Sequence, residues 1–279
     1  MPGYAALSAP SFSYVKNDHQ TCCMPVDEGQ SAGITIAGFY TCNLYKEPIF
    51  ILMKKHLLLL HGAIGSAAEL VPLAAKLEED YTVHLFDFPG HGGKQLPDAP
   101  FSIQLFAEAA LAYIIQEQLE KVVIFGYSMG GYTALYMARH YPQIIEKVIC
   151  LGTKFRWTET IARQETKMLD ADAIAAKVPA FAATLASRHA PNSWQEIVRR
   201  TSDMLLAVGS NNPLKEEDYP NILCPCLVMV GDRDKMAPAE ETLTVYRALP
   251  DAAFAVLPRT PHAIEKTDMN LLAQLIRQF

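Results

Sequence analysis

The sequence lacks the features that mark several classes of protein. It has no run of about 20 apolar residues, the length that a membrane-spanning helix needs, because Lys54, Lys55 and His56 break the most apolar stretch. The first 20 residues contain no basic stretch followed by an apolar one, the mark of a secretory signal. Basic side chains number 24 against 30 acidic ones, whereas proteins that work on nucleic acid carry a basic face. We therefore expect neither a membrane span nor a nucleic-acid partner.

Cysteine is scarce and irregularly spaced, with 6 residues in 279. Cys150 lies in an apolar run, which is typical of a buried free thiol. Cys224 and Cys226 are close together, but no second Cys or His pair accompanies them at the spacing of a zinc site. We predict a cytoplasmic protein that holds no metal and no cofactor.

The character of the chain changes near residue 53. The first 52 residues are rich in Ser, Gly, Pro and Tyr and show little periodicity, whereas an apolar run begins at residue 57. Two interpretations stay open. In the first, Met53 is a natural protein start and 1–52 is an N-terminal extension. In the second, 33–40 and 49–53 are early strands of a hairpin.

From residue 57 onward, short apolar runs alternate with helical patterns. The candidate strands are β-branched or aromatic and bounded by Gly, Pro or Asp; they are 57–60, 83–88, 121–125, 147–151, 226–230 and 253–257. The helical patterns cover 67–77, 103–118, 130–140, 240–249 and 268–278. Because such strands are buried on both faces, the pattern predicts an α/β fold with a mostly parallel central sheet covered by helices on both sides.

The alternation fails once, between residues 155 and 212. This segment contains no strand-like run and is typical of consecutive helices, with Pro179, Pro191 and Pro213 as breakers. We predict a helical insertion between two strands, which divides the remaining domain into 53–154 and 213–279.

The sharpest motif is the segment 126–131, Gly-Tyr-Ser-Met-Gly-Gly, which lies directly between a candidate strand and a helical pattern. A Ser between two glycines at such a junction is typical of a nucleophile elbow. The turn is so tight that the residues two before and two after the Ser must lack side chains, and Gly126 and Gly130 meet that need. Ser128 is therefore the candidate nucleophile.

A serine hydroxyl needs a general base, and this elbow implies that the acid and the His follow the Ser in the chain. Beyond residue 189 the only His is His262, in a loop after the last candidate strand. The loop after strand 226–230 offers Asp232 and Asp234, and either carboxylate could orient the imidazole. Sequence order does not choose between them, and we expect the other one to organise the loop.

Acyl transfer also needs N–H donors that stabilise an oxyanion. One donor is expected from Met129, directly after the nucleophile at the start of its helix. The second is expected from the loop after strand 57–60, where Ala63 is the first choice and Ile64 the alternative. His61 begins this loop, and its place before the elbow favours a role in bracing the loop.

These motifs resemble those of the α/β-hydrolase superfamily. The matching pieces run in that family's order from about residue 54 to 279; they are His61-Gly62, Asp87-Phe88-Pro89-Gly90-His91-Gly92, the Ser128 elbow, Gly231-Asp232-Arg233-Asp234 and His262. The resemblance implies that Asp234, the last Asp of its segment, is the catalytic acid. It also implies that 155–212 is a helical cap over the active site. Apolar side chains in that segment predict an apolar roof; these are Phe155, Trp157, Met168, Phe181, Trp194 and Met204.

The resemblance and the motifs together predict a serine hydrolase with a Ser-His-Asp triad that cleaves an ester or related acyl bond of a small molecule. One alternative is a lyase of the menaquinone-pathway type, which uses the same triad and binds a carboxylated substrate through basic groups of the cap. The candidate basic groups are Arg156, Arg163, Arg188, Arg199 and Arg200. Another alternative is a non-catalytic receptor on the same fold.

Overall fold

The structure, a computed structural model, describes residues 54–279. The predicted N-terminal extension 1–52, the start at Met53 and the alternative hairpin of 33–40 and 49–53 lie outside these residues. Within 54–279, no helix is both long enough and apolar enough to cross a membrane.

A six-stranded sheet forms the centre of the described region, and all of its neighbouring strands are parallel. The strands are β1 (Lys55–Leu60), β2 (Tyr81–Phe86), β3 (Val122–Tyr127), β4 (Ile145–Leu151), β5 (Cys226–Gly231) and β6 (Ala252–Leu257). All six predicted strands are confirmed. β2 ends at Phe86 instead of residue 88, because the next residue, Asp87, leaves the sheet and its carboxylate accepts the N–H of Ala67 at 2.7 Å.

Nine α-helices accompany this sheet within 54–279. They are α1 (Val71–Leu77), α2 (Ile103–Gln116), α3 (Met129–His140), α4 (Glu159–Glu165), α5 (Ala171–Lys177), α6 (Pro179–His189), α7 (Trp194–Ser210), α8 (Ala239–Ala248) and α9 (Met269–Gln278). The five predicted helices are confirmed as α1, α2, α3, α8 and α9. A short 3₁₀ turn, Ala67–Leu70, precedes α1, whose first turn holds Pro72, where the missing N–H of proline costs no helical hydrogen bond. Four helices lie between β4 and β5.

Side chains of the strands alternate between two buried layers. Leu57 and Leu59 of β1 pack with residues of α1 and α9 on one face, while Leu58 and Leu60 pack with residues of α2 and α3 on the other. All four side chains are fully buried. Burial on both faces explains why this strand is continuously apolar instead of alternating. The three-layer α/β/α architecture follows from that pattern.

The direction of winding reverses between β1 and β3. The strand order is β2-β1-β3-β4-β5-β6, so the chain runs outward from β1 to β2 and then returns to continue from β3 in the opposite direction. Helices α1 and α3, which follow these two adjacent strands, cover opposite faces of the sheet. In open α/β sheets, ligands bind at the carboxyl ends of the strands beside such a point of reversal.

Truncation of Leu59 tests this central packing. The side chain is fully buried in β1, so Leu59→Ala should lower the free energy of unfolding by about 2–5 kcal/mol. Leu223 is 71% exposed and makes a matched control; Leu223→Ala should change stability by less than about 0.5 kcal/mol. Urea denaturation of both variants measures the difference, and equal losses would contradict the burial of β1 described above.

Candidate active site

Ser128 lies between the end of β3 and the start of α3, and its backbone adopts a left-handed conformation with φ 52°. A non-glycine residue in this region costs about 1–3 kcal/mol and persists only where its surroundings hold it. Here the Ser128 N–H donates to the carbonyl of Leu151 in β4 at 2.9 Å. The Ser128 carbonyl accepts the N–H groups of Gly131 and Tyr132, at 3.0 and 3.2 Å. These bonds fix the backbone on which the hydroxyl is carried.

The two glycines of the elbow are required by close backbone contact. A Cβ at Gly126 would stand 2.4 Å from backbone atoms of Gly130 and Gly131, and one at Gly130 would stand 2.3 Å from the carbonyl oxygen of Leu60. Real Cβ atoms essentially never lie within 3.0 Å of such non-bonded atoms, so either side chain would push α3 away from the sheet. The predicted need for glycine two residues before and two after Ser128 is therefore confirmed.

His262 lies beside Ser128, in the loop after β6. Its Nε2 atom is 3.1 Å from the Ser128 Oγ atom, and its Nδ1 atom is 2.7 Å from Oδ2 of Asp234. The His262 side chain is 16% exposed, whereas that of Asp234 is 2% exposed. The structure thus brings together three residues from the ends of β3, β5 and β6, in one chain of hydrogen bonds.

The two candidate carboxylates have different surroundings. Oδ1 of Asp234 accepts the N–H groups of Met236 and Ala237 at 2.9 and 2.8 Å, which leaves Oδ2 directed at His262. Asp232 is exposed and accepts the N–H of Thr260 at 3.0 Å. Backbone N–H donors, first that of Arg259 and then that of Thr260, hold the pKa of Asp232 below its usual range. Asp232 therefore braces the loop that carries His262, and Asp234 contacts the imidazole itself.

Two further residues support His262 and were not predicted from the sequence. The hydroxyl of Tyr127 donates to the carbonyl of His262 at 2.8 Å. Gly152, directly after β4, has φ 62°, and a Cβ there would stand 3.1 Å from Oδ2 of Asp234. The position of Gly152 at the end of the strand next to β3 is the one sequence signal that could have identified it.

The loop after β1 makes a tight turn in front of the elbow. The N–H of Gly65 donates to the carbonyl of Gly62 at 3.1 Å, and Ile64 adopts φ 51°. Met129 is the first residue of α3, where backbone N–H groups have no acceptor inside the helix. Within 54–279, the N–H groups of Ala63, Ile64 and Met129 donate to no protein acceptor. These are the three N–H groups that the sequence predicts as oxyanion donors, and they follow β1 and β3 at the carboxyl edge of the sheet.

His61 braces the same loop, as predicted. Its Nδ1 lies 2.7 Å from the carbonyl oxygen of Gly62, and its Nε2 accepts the N–H of Phe88 at 3.2 Å. The proton must therefore sit on Nδ1. Complete burial lowers the pKa of His61 to about 3. The ring is neutral, so the 4.0 Å approach of Asp87 makes no ion pair.

Four of the five candidate arginines already have carboxylate partners. The pairs are Arg163 with Glu159, Arg188 with Glu69, Arg199 with Glu196 and Asp203, and Arg200 with Glu196. Arg156 is exposed, and its side chain forms no ion pair with any residue of the described range. In the same range, no group of three or more His, Cys, Asp or Glu side chains is arranged to hold a metal ion.

Comparison with known proteins finds relatives over most of the chain. The sequence profile described as the alpha/beta hydrolase family matches residues 57–274. A pimeloyl-[acyl-carrier protein] methyl ester esterase of Neisseria meningitidis is 26% identical over 246 residues, covering 81% of this chain and 93% of the relative. A 2-(acetamidomethylene)succinate hydrolase of Mesorhizobium japonicum is 22% identical, covering 80% of this chain and 87% of the relative.

Solved structures share the same fold. A thermophilic esterase from Thermogutta terrifontis superposes with a TM-score of 0.64 at 24% identity, covering 81% of this chain and 89% of that one. An enol-lactonase from Burkholderia xenovorans superposes with a TM-score of 0.62 at 18% identity, covering 81% of this chain and 90% of that one.

The buried neutral state of His61 predicts how stability depends on pH. The folded pKa is about 3 and the ordinary value is 6.5, so between these values the unfolded chain binds a proton that the folded chain does not. His61 should therefore lower the free energy of unfolding by about 1.4 kcal/mol for each pH unit below 6.5. Urea denaturation at pH 4–7 should give a shallower pH dependence for His61→Gln than for the wild type. Parallel curves would contradict a neutral His61.

Proposed function

Because the chain belongs to the alpha/beta hydrolase family, we propose that it is a serine hydrolase that cleaves an ester or related acyl bond. The observation that carries this proposal is the chain of two hydrogen bonds from Asp234 through His262 to Ser128, at 2.7 and 3.1 Å. Nucleophile, base and orienting acid in this order are the groups that acyl transfer requires. We assign these three residues as the catalytic triad.

The first half of the reaction forms an acyl-enzyme. Ser128 Oγ attacks the substrate carbonyl carbon while its proton passes to Nε2 of His262. Asp234, whose second oxygen is held by two backbone N–H groups, keeps the imidazole oriented and stabilises its cation. His262 then gives the proton to the leaving alcohol, and the acyl group stays on Ser128.

The second half regenerates the enzyme. A water molecule loses a proton to His262 and attacks the acyl-enzyme carbonyl, and the C–O bond to Ser128 breaks. His262 returns the proton to Ser128 Oγ, and the carboxylic acid leaves. Overall, one ester and one water become one acid and one alcohol.

The negative oxygen that forms in both halves needs fixed N–H donors. We assign the N–H groups of Met129 and Ala63 to this role, with Ile64 as the alternative to Ala63. Met129 adds the positive end of the α3 dipole, which favours negative charge at that point. The lack of a protein acceptor for these N–H groups within 54–279 supports the assignment.

We further propose that 155–212, which holds α4–α7, is a cap on a core made of 53–154 and 213–279. The segment has a small apolar core of its own, formed by Ile174, Leu185, Trp194 and Val198. Asn192 donates to the carbonyls of Gly90 and Lys94, in the loop after β2. Among the predicted roof residues, Phe155, Trp194 and Met204 are buried, whereas Met168 and Phe181 are exposed.

Ester hydrolysis is favoured over the lyase alternative by the state of the cap arginines. A lyase of that type needs free cations for a carboxylated substrate, and four of the five candidates are paired with protein carboxylates. The substrate is therefore expected to be a small ester without several carboxylates. Turnover of such an ester would also exclude a purely receptor-like role.

Removal of the nucleophile tests the reaction class. Ser128→Ala should abolish covalent labelling by a fluorophosphonate probe and hydrolysis of p-nitrophenyl butyrate, because it removes the hydroxyl that lies 3.1 Å from Nε2 of His262. Ser187 is exposed on α6 and serves as a matched control, so Ser187→Ala should label as the wild type does. Labelling that persists in Ser128→Ala would show that another residue is the nucleophile.

The difference between the two carboxylates gives a second test. Asp234→Asn should lower kcat by about 10⁴-fold, since an amide favours the wrong imidazole tautomer. In Asp232→Asn the amide oxygen can still accept the N–H of Thr260, so kcat should fall by less than about tenfold. Steady-state kinetics on p-nitrophenyl butyrate measure both. The reverse ranking would make Asp232 the catalytic acid.

A further inference from the structure

Two neighbouring side chains of the cap converge on one carbonyl oxygen of the turn that offers Ala63 and Ile64. Arg188 Nη1 donates to the Ile64 carbonyl at 2.9 Å, and His189 Nε2 lies 3.0 Å from the same oxygen. The Nδ1 atom of His189 accepts the N–H of Gly92 at 3.3 Å. The ring proton therefore sits on Nε2, and both cap side chains are donors to Ile64.

Both donors are held from other directions. Arg188 Nη2 pairs with Oε1 of Glu69 at 2.7 Å, and Oε2 of Glu69 accepts the N–H of Ser66 at 3.2 Å. The His189 side chain is fully buried, as is that of His91 beside it, with ring centroids 5.5 Å apart. Arg188 is thus tied to the segment that follows the turn, and His189 is fixed by its burial and by its bond to Gly92.

The conformation that they hold is one that Ile64 alone would avoid. Ile64 is β-branched and has φ 51°, in a region that such residues rarely adopt. With Gly65 N–H bonded to the Gly62 carbonyl, Ile64 is the third residue of a four-residue turn. Positive φ at that position is typical of a type II turn and is normally supplied by Gly. Rotation to negative φ would flip the peptide between Ala63 and Ile64 and redirect the N–H of Ile64, the alternative oxyanion donor to Ala63.

We propose that Arg188 and His189 are positioning residues, which clamp the Ile64 carbonyl and so hold the oxyanion donors of the turn in their working direction. This inference rests on the hydrolase function proposed above. The cap then has a second role besides covering the substrate. Its side chains Arg188 and His189 fix the turn that supplies a donor of the oxyanion hole. Neither side chain need touch the substrate for this effect.

Loss of one donor should reduce turnover more than substrate binding. His189→Ala should lower kcat for p-nitrophenyl butyrate by about 10- to 100-fold, less than the loss of an oxyanion donor itself, with KM changed by less than about threefold. His189→Gln keeps an N–H donor at a similar reach and should retain kcat within about threefold of the wild type. Arg199→Ala is the control for a cap arginine, since Arg199 pairs only within α7 and should leave kcat unchanged.

A second substitution separates positioning from a merely structural role. Glycine adopts positive φ without strain, so Ile64→Gly in the His189→Ala background should raise kcat at least about fivefold relative to His189→Ala alone. A cap that is simply loosened would gain nothing from glycine in the turn. The clamp is overturned if His189→Ala keeps wild-type kcat, or if Ile64→Gly fails to restore any turnover.

The same assay distinguishes failure of the clamp from failure of the hydrolase proposal. If Ser128→Ala is inactive while His189→Ala is fully active, only the clamp is wrong. If Ser128→Ala still hydrolyses the ester, the proposed function is wrong, and the effect of His189 on kcat no longer concerns an oxyanion hole.

Discussion

Strand β3 and helix α3 approach each other so closely at Ser128 that no side chain fits between them. The backbone of Gly130 lies where a Cβ of Gly126 would stand, and the carbonyl of Leu60 lies where a Cβ of Gly130 would stand. This contact forces the sharp reversal that gives Ser128 its positive φ and lifts its hydroxyl above the sheet. It also fixes the distance from α3 to β1, and hence from Met129 to the turn that contains Ala63.

The rest of the site depends on the parallel sheet that this contact anchors. Because all strands run the same way, the loops after β3, β5 and β6 end at one edge, where Ser128, Asp234 and His262 meet. Loops at such an edge carry many backbone polar groups that must be satisfied. Neutral buried imidazoles satisfy several of them here, since His61 bonds to Gly62 and Phe88, and His189 bonds to Ile64 and Gly92.

Sequence reasoning was most successful where one residue type is sterically required. Gly126 and Gly130 can be predicted because only glycine fits, and the central strands β1, β3, β4 and β5 because burial on both faces demands apolar runs. The choice between Asp232 and Asp234 could not be made from the residues alone, since it depends on which carboxylate the loop directs at His262. The resemblance to a known family supplied Asp234, and its 2.7 Å contact with His262 agrees with that choice. The roles of Tyr127 and Gly152 cannot be predicted from the sequence, because they appear only when β3, β4 and β6 are assembled.

Ser128 and Ile64 both adopt an unfavourable backbone conformation, and different contacts stabilise it in each case. Both are non-glycine residues with φ near 50° at the carboxyl edge of the sheet, and neither conformation is favoured by the local sequence. Ser128 is held by β4 and by the first turn of α3, elements that follow the motif or lie beside it in the sheet. Ile64 is held by Arg188 and His189, more than 120 residues away in the chain. The conformation of Ser128 can therefore be predicted from a short motif. The turn that contains Ala63 and Ile64 takes its conformation from a tertiary contact that no local pattern encodes.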